Sequence, residues 1–311
     1  MKNPFHEGEL KVQKLAGEER TAAGNGTIVA DNIMRGAWAF LAQQPMAVFG
    51  SRDAQDRLWA SMLFGSRGFM TSVDGLSVNF DLALVSVQDG DPFWQNIETN
   101  PTVGLITIEL GTRRRIRING EIERLAEANL KLHVKEAYPN CPKYITRRVL
   151  KTVVTGMPQS NENHGGEVID SERRQLIERG DALFIASAHP TRGADASHRG
   201  GNPGFIEVLD ESTIRIPDYP GNSMFNTFGN LVVNPSAGIV IPDFEHGLVL
   251  QLTGKAEPLF DVDDPMDATG GTGRFLIFHV SEWLQRALPA DVESELLDYS
   301  PFNPKVVEER E

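Results

Sequence analysis

The chain has a single cysteine, Cys141, among its 311 residues. It can form no intramolecular disulfide and no thiolate metal cluster within one chain, which suits a reducing compartment. The first 15 residues lack the apolar core of a signal peptide. Nowhere does an apolar run approach the roughly 18 residues of a membrane-spanning helix. These absences predict a cytoplasmic protein that does not insert into membranes.

Basic charge is also scarce, since 30 lysines and arginines face 43 aspartates and glutamates, and the formal net charge is −13. This balance argues against a general nucleic-acid-binding protein, which would present a basic face to phosphates. A local basic pocket is still compatible, because net charge averages over the whole surface. The sequence contains no HExxH, CxxC, Walker or GxSxG motif, so neither a metal site nor a catalytic residue is predicted.

Two parts of the chain resemble each other at a nearly constant offset, and the order of the matches is preserved. At an offset of 136 the recurring pairs are Ala60-Ser61 with Ala196-Ser197 and Gly68-Phe69 with Gly204-Phe205. At an offset of 134 they are Asn100-Pro101 with Asn234-Pro235, Gly104 with Gly238, and Gly120 with Gly254. This internal similarity predicts two diverged copies of one domain.

The predicted elements follow one another in the same order in both copies. Asp31 is predicted to cap a helix that runs to about Gln44, and Asp170 or Ser171 a helix that runs to about Arg179. Each helix is followed by short strands separated by turn signals, and by a short helix that ends at Asn-Pro. This pattern favours a barrel over a parallel sheet.

We predict three parts along the chain. Residues 1–125 form an N-terminal degenerate barrel with leading helices. Residues 126–168 form a helical connector, from the pattern LAEANLKLHVKEAY, and a polar glycine-rich loop at NENHGGE. Residues 169–311 form a C-terminal barrel, whose tail RFLIFHVSEWLQRAL is predicted to be a last strand followed by a C-terminal helix.

The second copy resembles the FMN-binding proteins related to pyridoxamine 5′-phosphate oxidase. The residues that carry the resemblance are SHRGGNPGF, IPDYPGN and NTFGNLVVNP, and the strong match covers roughly 180–257. A weaker match covers about 45–125. The resemblance implies a mainly β fold with helices (α+β), in which two tandem split β-barrels pack as an internal pseudo-dimer. It also implies FMN as the cofactor, bound in a cleft between the barrels.

The loop of the second copy holds the first candidates for the FMN site: Ser197, His198, Arg199 and Gly200. Arg199 can donate a fork of hydrogen bonds to phosphate oxygens, Ser197 is a hydroxyl donor beside it, and glycines let backbone amides approach a ligand. A plain surface turn is the alternative, because glycine and serine are common in turns. The first copy has Leu63 opposite Arg199, which favours the ligand interpretation. His198 lies either near the ligand or exposed in the loop.

The segment IPDYPGNSMFNTFGN holds the second group of candidates. Asn222 or Ser223 is predicted to cap a helix over about 223–233, and a helix N-terminus suits a phosphate. Asn226 and Thr227 lie where the family places phosphate-binding side chains. The basic residue that many family members carry in this helix is absent here. A plain cap is the alternative role of Asn222.

Two further strands carry polar residues on one face. Gln251 and Thr253 could reach the flavin ring from the barrel face, although polar barrel linings are common. Arg113, Arg115 and Arg117 could cross the cleft toward an anionic ligand, although a solvated basic strand face is the more ordinary explanation.

Together these features predict an FMN-binding oxidoreductase of the pyridoxamine-phosphate-oxidase-like class, in which the flavin performs the redox chemistry. The expected partners are a flavin nucleotide and a small-molecule substrate or electron donor such as NAD(P)H, with no nucleic acid and no membrane. A homodimer is compatible with the sequence. Two other function classes stay open: a non-catalytic flavin- or haem-binding carrier or sensor, and an accessory protein with an empty pocket.

Overall fold

The computed structural model describes residues 3–126, 128–152, 163–289 and 292–306. Within these residues most of the regular structure lies in two large antiparallel sheets, with short helices between the strands. The expected mainly β fold with helices is therefore confirmed. None of the helices in these ranges is long and apolar enough to cross a membrane.

Three helices precede the first sheet: α1 (Glu7–Leu15), α2 (Glu19–Asn25) and α3 (Trp38–Gln43). A capping box starts α1, because His6 Nδ1 accepts from the Gly8 amide and the Glu9 carboxylate accepts from the His6 amide. A 3₁₀ turn at Arg35–Ala37 leads into α3. The helix predicted from Asp31 is therefore shorter than expected, and Asp31 is not its cap.

The first sheet has seven strands and one helix between its fourth and fifth strands. In chain order they are β1 (Met46–Arg52), β2 (Leu58–Phe64), β3 (Met70–Thr71), β4 (Ser77–Asp81), α4 (Pro92–Thr99), β5 (Thr102–Glu109), β6 (Arg114–Ala126) and β7 (Asn129–Pro139). The spatial order is β2-β1-β5-β6-β7-β4-β3. Its core is rich in aromatic residues, including Phe49, Phe80 and Phe93.

The second sheet follows two short strands, β8 (Arg147–Thr152) and β9 (His164–Gly166), and α5 (Ser171–Arg179). Asp170 caps α5 and Gly180 ends it, as predicted. The seven main strands and one helix are β10 (Ala182–His189), β11 (Gly193–Gly200), β12 (Glu207–Val208), β13 (Thr213–Pro217), α6 (Asn226–Leu231), β14 (Ser236–Asp243), β15 (Leu248–Leu259) and β16 (Phe275–Ala287). Their spatial order is β11-β10-β14-β15-β16-β13-β12, the same arrangement as in the first sheet.

Two smaller pairings complete the described structure. β9 adds to β16, and β17 (Val292–Asp298) pairs with β8 in a separate two-stranded sheet.

Two predicted helices are wrong. The connector pattern LAEANLKLHVKEAY forms the end of β6 and most of β7, and the tail pattern RFLIFHVSEWLQRAL is the single strand β16. Both segments contain strong helix formers, but their apolar residues alternate, as at Leu130 and Leu132, which are fully buried. Pairing with neighbouring strands therefore overrides the local helix propensity. Residues 153–162, which include part of the predicted polar loop, lie outside the described residues.

The two barrels dock through a third apolar cluster, which contains residues of both sheets such as Met62, Ile106, Phe184, Val240 and Val249. The backbones come so close that a side chain would not fit at two places. A Cβ atom on Gly104 would lie within 2.4–2.6 Å of the backbone of Asp195 and Ala196, and one on Gly238 within 2.4–2.7 Å of Leu58 and Trp59. The expected pair of tandem split barrels packed as a pseudo-dimer is confirmed.

We expect Gly104→Val to lower the free energy of unfolding by about 1–3 kcal/mol, because the new side chain forces the barrels apart. Gly24→Ala is the matched control, since a Cβ on this helical glycine would meet nothing within 4 Å. Urea unfolding followed by tryptophan fluorescence measures both variants. Equal stability of the two variants would show that the docking is looser than the structure indicates.

Candidate functional site

A cleft lies between the barrels, where β6 of the first barrel faces β11 and α6 of the second. Its volume of about 140 Å³ is below the roughly 300–1,000 Å³ of pockets that enclose a whole drug-sized ligand. The cleft can therefore enclose the polar end of such a ligand and leave the remainder in its mouth. Seven of the nine residues predicted for the FMN site line it: Asn222, Asn226 and Thr227, and also Ser197, His198, Arg199 and Gly200, which lie on β11 and not in the predicted loop.

Arg115 gives the cleft an uncompensated positive charge. Among the residues with described side chains, no carboxylate pairs with its guanidinium, and its buried Nε has no hydrogen-bond partner. Its Nη1 lies 3.4 Å from Nδ1 of His198. Burial, together with the charges of Arg117 and Arg199, lowers the pKa of Arg115 to about 10. The side chain therefore stays cationic at neutral pH, although burial and the two neighbouring arginines make its charge less favourable than in water.

Arg199 is a second cation in the cleft, but it shares its counter-ion. Its Nη1 donates to Oδ1 of Asp218 at 2.5 Å, and the other oxygen of Asp218 accepts from Arg274 Nε at 2.8 Å. Arg274 is also paired with Glu18 at 3.0 Å. The Nε of Arg199 is buried without a partner. The sequence prediction that Arg199 is the central cation is thus modified, since Arg115 is the cation that lacks a carboxylate partner.

Arg117 joins the two barrels beneath the cleft. Its Nη1 donates to the Tyr138 hydroxyl at 2.9 Å and lies 3.5 Å from Asp195 Oδ1, while Nη2 donates to Ser197 Oγ. Ser197 Oγ also accepts from Thr227 Oγ1 at 2.9 Å. Because two donors use the lone pairs of Ser197, its own hydroxyl hydrogen is left to donate to a ligand.

The segment before α6 has an unusual backbone. α6 has six residues and begins after Phe225, so the predicted helix over about 223–233 and its predicted cap at Asn222 or Ser223 are wrong. Asn222 instead accepts from the Met224 amide. Ser223, Phe225 and Tyr144, which all line the cleft, have φ values of 62°, 59° and 63°. Such strained non-glycine conformations cluster at functional sites.

The N-terminal helices hold this segment in place. Asn226 Nδ2 donates to Glu9 Oε1 at 2.5 Å, and Gln13 Nε2 donates to the Met224 carbonyl at 3.2 Å. Asn25 Nδ2 donates to the Asn222 carbonyl at 2.7 Å. One wall of the cleft therefore depends on residues that belong to neither barrel.

Gln251 and Thr253 lie outside this cleft, in the equivalent position on the other side of the pseudo-dimer. They are buried and bonded to β2: Gln251 Nε2 donates to the Ala60 carbonyl, and Thr253 Oγ1 to the Leu58 carbonyl, both at 2.8 Å. The Arg286 side chain lies beside them and donates to Asp91 and Gln251. The polar side chains at the positions equivalent to Arg117 and its neighbours are thus bonded within the protein.

Contrary to the prediction from the sequence, Arg113 does not share a strand face with Arg115 and Arg117, because β6 begins after it, at Arg114. It lies in the turn before β6 with φ of 61° and pairs with Asp298. Of the three, Arg115 and Arg117 reach the cleft, where Arg117 is buried and Arg115 is half-buried, so the solvated basic strand face is the wrong explanation for these two residues. The alternating spacing of Arg115 and Arg117 predicts that both lie on one strand face, but the sequence does not show that the second barrel covers this face.

A pair of tyrosines forms an aromatic wall of the cleft. The rings of Tyr144 and Tyr219 have centroids 4.8 Å apart, and both residues are half-buried. The Tyr144 hydroxyl donates to the Pro220 carbonyl at 3.0 Å. A flat, partly apolar group could contact this wall.

A second cluster, His6, Glu7 and His189, has the composition of a metal site. Both nitrogens of each histidine ring already have hydrogen-bond partners within the protein. Each Nδ1 lies within hydrogen-bond reach of a backbone amide, that of Gly8 or Thr191, and each Nε2 lies near a side-chain oxygen of Asn230 or Glu7. Since the imidazole lone pairs accept from the backbone, we interpret the cluster as structural.

No protein-family model matches the sequence, and no curated protein matches it. Solved structures resemble parts of it. HupZ of Group A Streptococcus is 19% identical with a TM-score of 0.29, over 36% of this chain and 89% of its own. An FAD-binding protein of Mesorhizobium loti is 10% identical with a TM-score of 0.31, over 42% and 100%. A Clostridium acetobutylicum protein of the pyridoxinephosphate oxidase family is 12% identical with a TM-score of 0.27, over 40% and 92%.

Glu9 makes the docking of α1 sensitive to pH. Burial raises its pKa to about 8, and the charges of Asp195 and Glu136 act in the same direction. Folding therefore favours the protonated carboxyl. The contribution of this group to stability is full below about pH 4.5, falls as the pH rises toward 8, and is constant above that value.

We expect Glu9→Gln, which resembles the protonated acid, to match the wild type near pH 5 and to be more stable at pH 8.5. The gain is on the order of 3–5 kcal/mol. Urea unfolding across this pH range measures it, and Glu19→Gln, at an exposed position of α2, is the control. A stability difference that does not change with pH would contradict the assignment.

Proposed function

We propose that the cleft between the barrels binds FMN and that the protein is an FMN-dependent oxidoreductase. The observation that carries this proposal is the half-buried side chain of Arg115, whose Nε is buried without a hydrogen-bond partner and whose guanidinium has no carboxylate partner among the described side chains. A buried cation without a counter-ion is costly unless an anion joins it. The terminal phosphate of FMN is such an anion.

The residues present fit this group. Arg115 and Arg199 each have a buried Nε without a partner, and Ser197 has a hydroxyl hydrogen to donate. Charge-assisted hydrogen bonds of this kind hold phosphates strongly. The Tyr144 and Tyr219 wall would contact the flat ring. Gln251 and Thr253 are left out of the proposed site, because their polar groups are bonded to β2.

The protein's own part is to bind and orient. Bound FMN would supply hydride or electron transfer, with a donor such as NAD(P)H and a small-molecule substrate. Arg115 and Arg199 would neutralise the phosphate, and Arg117 would keep Ser197 in its position across the barrel interface. Each of these roles needs residues of both barrels, because Arg115 and Arg117 lie on β6 and the others on β11.

We expect Arg115→Met to weaken FMN binding by about 1.5–3 kcal/mol, the cost of losing a charged hydrogen bond. Riboflavin, which lacks the phosphate, should bind the wild type and the variant equally. Arg286→Met is the control: it removes an interface arginine from the second cleft, on the other side of the pseudo-dimer, and should leave FMN affinity unchanged. Quenching of flavin fluorescence measures the dissociation constants. Failure of the wild type to bind FMN would end the proposal.

Turnover separates an oxidoreductase from a carrier. We expect the FMN-loaded protein to oxidise NADH or NADPH faster than the same concentration of free FMN, because the cleft holds the flavin ready for the donor. The bleaching of the flavin absorbance under anaerobic conditions measures this reaction. Tight FMN binding with no such acceleration by any nicotinamide or small-molecule reductant would favour the non-catalytic carrier or sensor.

A further inference from the structure

Arg115 and His198 form a polar pair across the barrel interface. Arg115 Nη1 lies 3.4 Å from His198 Nδ1, and His198 is about 9% exposed. The imidazole is fixed on two sides. The Phe184 ring packs against it edge-to-face with ring centroids 5.2 Å apart, and a Cβ on Gly200 would lie 3.0 Å from its Cε1. The ring therefore has a defined position from which to orient the guanidinium.

The fold does not require a polar pair at this place. In the second cleft the equivalent strand positions hold Val249 for Arg115 and Met62 for His198, as the strand registers show. Both residues are at most 5% exposed and belong to the interface cluster. The same docking is thus compatible with an apolar pair, and the polar pair needs another explanation.

An imidazole differs from a carboxylate in what it does to an arginine. Burial, and the charges of Arg115 and Arg199, hold the pKa of His198 well below its usual value. The ring is therefore neutral at pH 7, and its Nδ1 is a lone-pair acceptor for Arg115. A carboxylate at this position would orient Arg115 but would also neutralise it, as Asp91 does for Arg286 in the second cleft.

We propose that His198 is a positioning residue, which accepts a hydrogen bond from Arg115 and aims its guanidinium at the anionic end of the ligand without cancelling its charge. This inference rests on the proposed FMN site and adds the residue on which its phosphate affinity depends. His198 itself need not touch the ligand.

The test compares three substitutions of His198. The side-chain oxygen of an asparagine at this position would lie near the place of the imidazole Nδ1, so we expect His198→Asn to bind FMN within about threefold of the wild type. His198→Met removes the acceptor and should weaken FMN binding about tenfold, the equivalent of one charged hydrogen bond. His198→Asp should weaken it at least as much, because its charge neutralises Arg115. Riboflavin affinity should stay the same in all three.

A double-mutant cycle shows whether His198 acts through Arg115. The variant Arg115→Val with His198→Met recreates the apolar pair of the second cleft and should fold. We expect it to bind FMN no more weakly than Arg115→Val alone, because His198 has nothing left to orient. Thermal unfolding of every variant checks the fold. Additive losses in the cycle, or equal FMN affinity in the Asn, Met and Asp variants, would overturn the inference.

Inorganic phosphate serves as a second probe that keeps the two proposals apart. If the wild type fails to bind FMN, but phosphate at constant ionic strength raises its melting temperature and His198→Met abolishes that shift, the FMN proposal fails and the role of His198 stands. If FMN binds the wild type and the Met variant equally, the role of His198 fails and the FMN site stands. Binding of neither probe would overturn both.

Discussion

The close docking of the two barrels is the constraint on which the site depends. Glycines at the contact, such as Gly104, let the backbone of β5 lie directly against that of β11. This contact places Arg115 and Arg117 of one barrel beside Ser197 of the other. A wider separation would expose the arginines to water, where they would be ordinary surface cations. The chemistry of the cleft is therefore a property of the interface rather than of either barrel.

The two clefts of the pseudo-dimer treat buried charge in opposite ways. In the second cleft Arg286 is almost fully buried and is paired with Asp91, so that the charge is compensated within the protein. In the first cleft Arg115 has only the His198 ring as a hydrogen-bond partner among the described side chains. A buried cation left in this state reduces the stability of the protein unless a ligand anion compensates it. We interpret this difference as a division of roles: the first cleft binds an anionic ligand, and the second cleft stabilises the fold.

The sequence was informative where a residue's role is local. Comparison of the two copies singled out Arg199, which lines the cleft, because the first copy has Leu63 at the matching position. Prediction from the sequence failed where tertiary contacts determine the secondary structure or the burial of a residue. The segment LAEANLKLHVKEAY has the composition of a helix and becomes a strand because β4 and β6 flank it. Arg115 resembles a surface residue in its own strand, and only the second barrel buries it. The strained backbone at Phe225 likewise has no local sequence signal.

The fusion of the two barrels also affects how the site responds to dilution. A cleft assembled from two separate chains disappears when the protein concentration falls below the dissociation constant of the dimer. Here β6 and β11 lie on one chain, and the connection gives each barrel a high effective concentration of the other. The complete cleft should therefore persist at any protein concentration. In a symmetric homodimer one sequence forms both clefts, whereas here the two barrels have different sequences, so each cleft can have its own residues.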